Sequence, residues 1–370
     1  MVFPVVGGTQ ATGDLITNSV RFDNNANYLY ADRFGSPTNA DKYTLSFWIK
    51  RCSNGAGDEL LSYNYGNDSA NIGVILSLRT DDTLRFNGYA PGSDHFDVRT
   101  NRLFRDPSAW YHLVFAYDST QSTASNRQKI YVNGAEETSL AASSYTDQNF
   151  DGFLATTPNS NKGFIIGSRY NSSGGIDSAS YTDGYMADVY FTDGYAYAAS
   201  DFGETNDNGV WITKKYLGTF GDNGFKVEFQ QTGTSQNSSG MGADTSGEDN
   251  HLAVTGLSSI DVTVDTPTNN FATLNPIGTI GVYNQQQTAG ISSGNLEIPR
   301  SRNSGESDGA ATANIAFPTN GKWYYEFKWA SRDAGSAWAG LTTHIDASKN
   351  VIYYAANGNS YVDNSSASYG

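Results

Sequence analysis

Between Asp183 and Phe229 the sequence reads DGYMADVYFTDGYAYAASDFGETNDNGVWITKKYLGTFGDNGFKVEF, and this stretch restricts the fold more than any other. Its first half alternates with period two and repeats one phrase, Thr182-Asp183-Gly184-Tyr185 and then Thr192-Asp193-Gly194-Tyr195. Its second half is a chain of turn signals: Phe202-Gly203-Glu204, Asn208-Gly209, Gly218 and Asn223-Gly224. Glycine and asparagine reach the left-handed backbone that tight reversals need, so short aromatic strands must fold back on one another here. No reactive group stands out in it. The stretch belongs in a β-sandwich.

The rest of the chain agrees. Period-2 patterns dominate and there is no helical stripe. From Thr44 to Lys50, Leu45, Phe47 and Ile49 fall on one face and Ser46, Trp48 and Lys50 on the other. Residues 72–79 and 83–87 flank Asp81-Asp82 as a hairpin, and Lys129 to Val132 run into Asn133-Gly134, the strongest short hairpin signal. Trp110 to Tyr117 carries aromatics on both faces, the mark of a strand inside a sandwich. Phe164 to Arg169 and Tyr185 to Phe191 complete the set. The expected fold is all-β, an antiparallel two-sheet jelly-roll sandwich, followed by a second β-sandwich that is incomplete.

At 370 residues the chain has room for two domains. The pattern dissolves into Gly, Ser, Thr, Asn and Asp from Gln230 to Asn250, breaks again at Thr266 to Asn270, then restarts at 281–283, 294–298, 311–317 and 322–329. The expected division is an N-terminal arm or edge strand at 1–14, a sandwich at 15–265 and a second sandwich at 266–370. A net charge of −15 with only 23 Lys and Arg removes the clustered cations that a nucleic-acid partner requires. The apolar start, Met1 to Gly8, is too short to span a membrane and lacks the basic flank of a signal peptide, so neither insertion nor export is expected. One cysteine, Cys52, excludes an intramolecular disulfide, and the core must hold the fold alone.

YTLSFWIKR (Tyr43 to Arg51), WYHLVFAYD (Trp110 to Asp118), KIYVNGAEE (Lys129 to Glu137) and SDFGETNDNGVW (Ser200 to Trp211) together resemble a laminin G-like, concanavalin A-like sandwich of the type found in phage structural proteins. GADTSGEDN (Gly242 to Asn250) and DTPTNNFATLNP (Asp265 to Pro276) resemble the junction after such a domain, so the likeness covers about 15–276. GKWYYEFKW (Gly321 to Trp329) resembles the opening strand of a SPRY domain, but the chain stops at Gly370 before the later strands. A fragment, or completion by a neighbouring subunit, is expected.

Candidate sites follow from residue chemistry and from that resemblance. Tyr63-Asn64-Tyr65 with Asn67 and Asp68, and Tyr170-Asn171, pair aromatic faces with amides and carboxylates, the chemistry that stacks on sugar rings and takes their hydroxyls. Tyr181, Tyr185 and Tyr195 add to that supply. The resemblance implies a calcium ion at a rim of loops, with Asp81, Asp82, Asp183 and Asp188 as ligands by type; no other cofactor is required. His95, His112, His251 and His344 show no zinc spacing, and His112 reads as a buried, hydrogen-bonded strand histidine. There is no nucleophile elbow, phosphate loop or paired glycosidase carboxylate string, so the chain is not expected to be an enzyme.

Together these make the chain a virion component of a tailed phage, assembled in the host cytoplasm. The leading expectation is a tail-fibre or appendage adhesin that meets other virion proteins and a host surface glycan or protein. A homo-oligomer is expected, with a trimer compatible although no heptads specify one. A capsid decoration or head-fibre protein is the second reading and a surface-polysaccharide hydrolase the third. Within Ser200 to Phe229 most residues are expected to close the sandwich rather than touch a ligand.

Overall fold

The computed structural model describes residues 14–31, 35–64, 73–90, 93–152, 163–171, 175–279, 291–297, 311–316, 324, 338–342, 351–355 and 360–363. The chain divides into two compact units, one ending at Asn270 and the other beginning at Phe271. Residues 266–270 therefore fold with the first unit.

The first unit opens with strands β1 (Ser19–Asp23), β2 (Tyr28–Ala31), β3 (Lys42–Arg51), β4 (Asp58–Asn64), β5 (Gly73–Leu78) and β6 (Thr83–Ala90). It continues with β7 (Ser93–Leu103), β8 (Trp110–Asp118), β9 (Gln128–Val132), β10 (Ala135–Glu136), β11 (Leu140–Ser144) and β12 (Phe164–Ile166). It ends with β13 (Asp183–Asp193), β14 (Gly203–Thr205), β15 (Trp211–Thr213), β16 (Phe225–Val227), β17 (Ala253–Thr255) and β18 (Val262–Thr263). Among the described residues helix is confined to three-residue 3-10 turns.

Two antiparallel sheets make the sandwich. The first has the order β10-β9-β8-β3-β13-β1-β18, with β16 beside the C-terminal half of β13; the second runs β11-β7-β6-β5-β4-β12-β2-β17. Between them lies one core. Leu45, Phe47 and Ile49 of β3 enter it with Leu113 and Phe115 of β8, facing Leu76, Phe86 and Phe164 of the second sheet. Burying such side chains contributes about 1.5–3 kcal/mol each, which no disulfide supplements here.

The first sheet is buried on its other face as well. Thr44, Ser46, Trp48 and Lys50 alternate with the core residues of β3, yet all four are buried. Part of their cover comes from the stretch after β13, where Phe202 and Tyr216 cluster with Tyr190 of β13 and are packed by Tyr197 and Phe220. Trp211 lies across the glycines at 134 and 203, where any Cβ would strike its ring, so the Asn133-Gly134 turn also serves as its seat. Asn133 and Gly134 take φ of 48° and 84°, the paired left-handed geometry of a two-residue hairpin.

Lys50 and Arg51 are consecutive, so their side chains leave β3 on opposite faces, and both are buried. Arg51 sits at the end of the inter-sheet core. Its guanidinium donates to Asp58 at 3.0 Å, Asp82 at 2.7 Å, and the carbonyls of Phe104 at 3.0 Å and Ala56 at 2.7 Å. Asp58 opens β4 and Asp82 closes the β5–β6 turn, so one first-sheet cation ties down two elements of the second.

In the second unit β19 (Leu274–Thr279) pairs with β20 (Ala311–Ala313), and β21 (Trp338–Thr342), β22 (Val351–Ala355) and β23 (Ser360–Asp363) form an antiparallel meander. The expected strand at 281–283 lies outside the described residues, as does that at 322–329 apart from Tyr324, which is in no strand. Residues 294–297 are a turn rather than the expected strand. Ser293, Gly294 and Asn295 all have φ near 60°, which reverses the chain between Ser292 and Glu297.

Replacing Arg51 by Ala is expected to destabilise the first unit by about 3–5 kcal/mol, because Asp58 and Asp82 would stay buried without their cation. Urea denaturation followed by tryptophan fluorescence measures it. A loss under about 1 kcal/mol would show that the clamp contributes little.

Candidate functional site

Burial separates the expected binding residues. Tyr63 is 4 % exposed and lies edge-on to Phe164 at 5.2 Å, Tyr185 is 1 % exposed near Trp110, and Tyr170 is 9 % exposed. These three are packing residues, which corrects their assignment to a contact surface. Period-2 geometry and high strand propensity drew them inward. Asn171 shapes its own loop, accepting from the Gly175 N–H at 3.1 Å and donating to the Ile176 carbonyl at 3.3 Å. Tyr181 is half-buried. Asn64 ends β4 with its backbone opposite Gly73; Tyr65, Asn67 and Asp68 lie outside the described residues.

The four aspartates named for calcium do not assemble. Asp81 is exposed and accepts from the backbone and hydroxyl of Thr83, which hold its carboxyl below the usual range. Asp82 is committed to Arg51 and, at 2.7 Å, to Arg105. Asp183 begins β13 opposite Asp23, and burial, then the Asp58 charge, pushes it up to about 7. Asp188 sits at the bulge of β13 with φ of 54°, accepts from the Tyr190 hydroxyl at 2.8 Å and faces Lys226 at 3.6 Å. Burial raises its pKa to about 6 despite that lysine. Among the described residues no group of three or more His, Cys, Asp and Glu is placed to hold a metal ion.

One serine–histidine contact invites a catalytic reading and fails it. His112 is buried with Nε2 2.9 Å from the Ser46 hydroxyl, while its Nδ1 accepts from the Trp211 indole at 3.0 Å. Indole can only donate, so Nδ1 carries no proton and Nε2–H must donate to the serine. The imidazole cannot take the serine's proton. Burial alone depresses its pKa to about 3, so it stays neutral.

A different constellation lies on the outer face of the second sheet. Registers carry one row across the sheet, Tyr30–Ile165–Ser62–Ile75–Asn87–Asp97, beside a second, Glu59–Ser77–Arg85–Arg99. Arg85 grips Asp97 with two donors at 2.7 and 3.0 Å and reaches Asp94 at 3.0 Å. Arg169, just past β12, bridges Glu59 at 3.1 Å and Asp177 at 2.8 Å. Four carboxylates thus surround two guanidiniums.

Glu59 is the most buried of these four carboxylates, its side chain 13 % exposed against 36 % for Arg169 and 44 % for Asp94. Its Oε1 faces Arg169; its Oε2 is buried and, among the described residues, has no hydrogen-bond partner. Burial, only partly offset by Arg169, lifts its pKa to about 7. Tyr89 is raised to about 12, first by burial, with Arg169 and Glu59 as charged neighbours. The cluster thus offers carboxylate acceptors, guanidinium donors and a tyrosine, a set that suits hydroxyl groups. The alternation of Arg85, Asn87 and Tyr89 with Leu84 and Phe86 was the available signal for it.

The family model for the concanavalin A-like lectin/glucanases superfamily, laminin G type, matches residues 23–201. That span supplies most strands of both sheets. A solved structure of a candidate carbohydrate binding protein from Bacteroides ovatus is similar at 20% identity and a TM-score of 0.44, covering 67% of this chain and 60% of that one. A heptameric SAP-like pentraxin from Limulus polyphemus is 14% identical with a TM-score of 0.33, over 48% of this chain and 76% of that one. Domain 4 of an extracellular arabinanase from Geobacillus stearothermophilus, solved with arabinotriose, is 18% identical with a TM-score of 0.34, over 52% and 78%. No curated protein matches the sequence.

Glu59 is harder to ionise folded than unfolded, so it opposes folding as pH rises from its ordinary 4.5 to about 7. Asp58 at about 6, Asp183 at about 7 and Asp188 at about 6 act in the same direction and together outweigh His112, whose depression from 6.5 to about 3 favours folding as pH rises to about 6.5. Denaturation midpoints are therefore expected to be higher at about pH 5 than at about pH 8. Glu59→Gln should narrow that gap and stabilise the protein at the higher pH by on the order of 1 kcal/mol. A midpoint that climbs with pH across this window contradicts the assignment.

Proposed function

We propose that this chain is a non-catalytic, glycan-binding adhesin whose laminin G-like sandwich receives a sugar at the Glu59–Arg169–Arg85 cluster. The observation that carries this reading is the buried Oε2 of Glu59, an acceptor set among two arginines and three further carboxylates on one sheet face. A sugar hydroxyl supplies the donor that such an oxygen lacks among the described residues, and a charged acceptor rewards it by about 1.5–3 kcal/mol. Arg169 and Arg85 are held by their carboxylates in one orientation, so little side-chain entropy is lost on binding. The excess of carboxylates over guanidiniums favours neutral, hydroxyl-rich sugars over acidic ones. The match to a lectin and glucanase superfamily over residues 23–201 supports the same reading.

The setting we propose is the virion of a tailed phage, as a tail-fibre or appendage protein that contacts other virion proteins and a host surface glycan. Its support is the likeness of Tyr43 to Arg51, Trp110 to Asp118 and Ser200 to Trp211 to phage structural proteins. Repetition on a particle would make a weak single site sufficient, because linked copies raise effective concentration.

A glycan array probed with the full chain is expected to return neutral oligosaccharides, with affinity falling as pH drops below about 7 and Glu59 gains its proton. Glu59→Gln is expected to weaken binding about tenfold without unfolding the protein. No binding across the array sinks the glycan reading; binding untouched by Glu59→Gln and Arg169→Ala moves the site off this face.

A further inference from the structure

The other buried cation of β3 has surroundings that a salt bridge alone does not require. Lys50 is fully buried, and its Nζ donates at 2.9 Å to Asp265 Oδ2 and at 2.9 Å to Asn270 Oδ1. Asp265 Oδ1 accepts from the Trp110 indole at 3.1 Å. The Asn270 amide is oriented by its far side, where Nδ2 donates to the Ser108 carbonyl at 2.8 Å. That bond turns Oδ1, and the carbonyl carbon one bond behind it, toward the lysine. A tight turn closed between Thr266 and Asn269 brings the acid and the amide to the same amine. The Tyr185 ring lies 5.8 Å from Nζ. An amine, an amide electrophile and a proton carrier are thus gathered, with the amine fully buried.

We propose that Lys50 and Asn270 join in an intramolecular isopeptide bond, formed by the protein on itself with Asp265 as the proton carrier. The Lys50 ammonium passes one proton to the Asp265 carboxylate. The freed lone pair attacks Cγ of Asn270, and the Nζ–Cγ bond forms. Asp265 gives its proton to Nδ2 and takes one from Nζ. The Cγ–Nδ2 bond then breaks and ammonia leaves, taking the two amide hydrogens and one from the lysine. Of the lysine's other two hydrogens, one stays on the new amide and one on the Asp265 carboxyl. Charge balances, nothing is oxidised or reduced, and no cofactor enters. Holding the groups in contact replaces an encounter in solution, the largest advantage such a reaction can have. The product also removes a buried ion pair whose desolvation is costly.

The consequence is mechanical. Asn270 is the last residue of the first unit, and Lys50 lies on a central strand of its first sheet. The bond would anchor the chain's exit to that strand, so a pull through residues 271–370 would not peel β17 and β18 from the sandwich.

Mass spectrometry of the purified full chain decides it. The expected result is an intact mass lower than the sequence mass by one ammonia, and after denaturation and digestion a branched peptide joining the Lys50 and Asn270 segments. Lys50→Arg, Asn270→Ala and Asp265→Asn should each abolish the branched peptide, and the wild-type measurement stands even where a variant fails to fold. A wild-type chain at full mass, with Lys50 and Asn270 recovered in separate linear peptides, overturns the proposal. So does loss of water with Lys50 joined to Asp265, which would reverse the roles of the acid and the amide.

Discussion

The structure of the first unit depends on β3 being buried on both faces while carrying two adjacent cations. A strand inside a sandwich normally spends one face on the core and leaves the other to water. Here Leu45, Phe47 and Ile49 fill the core, and Ser46, Trp48 and Lys50 need a second cover. The aromatic layer of Tyr197, Phe202, Tyr216 and Phe220 supplies part of it, and the segment around Asp265 supplies the counter-charge. Without that layer, a row of polar and charged groups would lie half-desolvated on an open sheet. The stretch after β13 is therefore part of the fold and not an appendage to it.

Two large polar groups of this interior are fully engaged. Arg51 is satisfied by two carboxylates and two carbonyls, and His112 by one donor and one acceptor, which leaves its tautomer no freedom. Glu59 keeps one buried oxygen without a hydrogen-bond partner among the described residues, as do Tyr43, Gln128 and Thr146 with their own buried polar atoms. What sets Glu59 apart is its place on a face lined by paired arginines and carboxylates, and the proposed glycan site rests on that placement. The paired arginines keep their orientation through Asp97, Asp94 and Asp177, so the surface is organised before any ligand arrives.

Much of the architecture was legible from alternation and turn chemistry. The strands from Lys42, Trp110 and Asp183, the hairpin at Asn133-Gly134 and the role of Ser200 to Phe229 as a closing segment all follow from local rules. The candidate site was less legible. Tyrosine serves equally as core and as contact surface, and only burial tells them apart, so Tyr63, Tyr170 and Tyr185 read as contacts from the sequence but pack inside. Glu59 stands in a run, Asp58 to Tyr63, where a bulge between Glu59 and Leu61 shifts the register, so simple alternation assigns its face wrongly.

By itself the sequence determined that the chain is all-β, that its strands are short and antiparallel, and which β3 residues share a face. Those properties depend on φ and ψ preferences and on period two, which act between near neighbours. Only the tertiary structure decided that Asp265 and Asn270 meet Lys50 across more than two hundred residues, that Asp82 completes Arg51, and that Arg169 and Arg85 converge around Glu59. Such partnerships depend on strand order and on which groups lose their water together, and neither is written in the spacing of the residues involved.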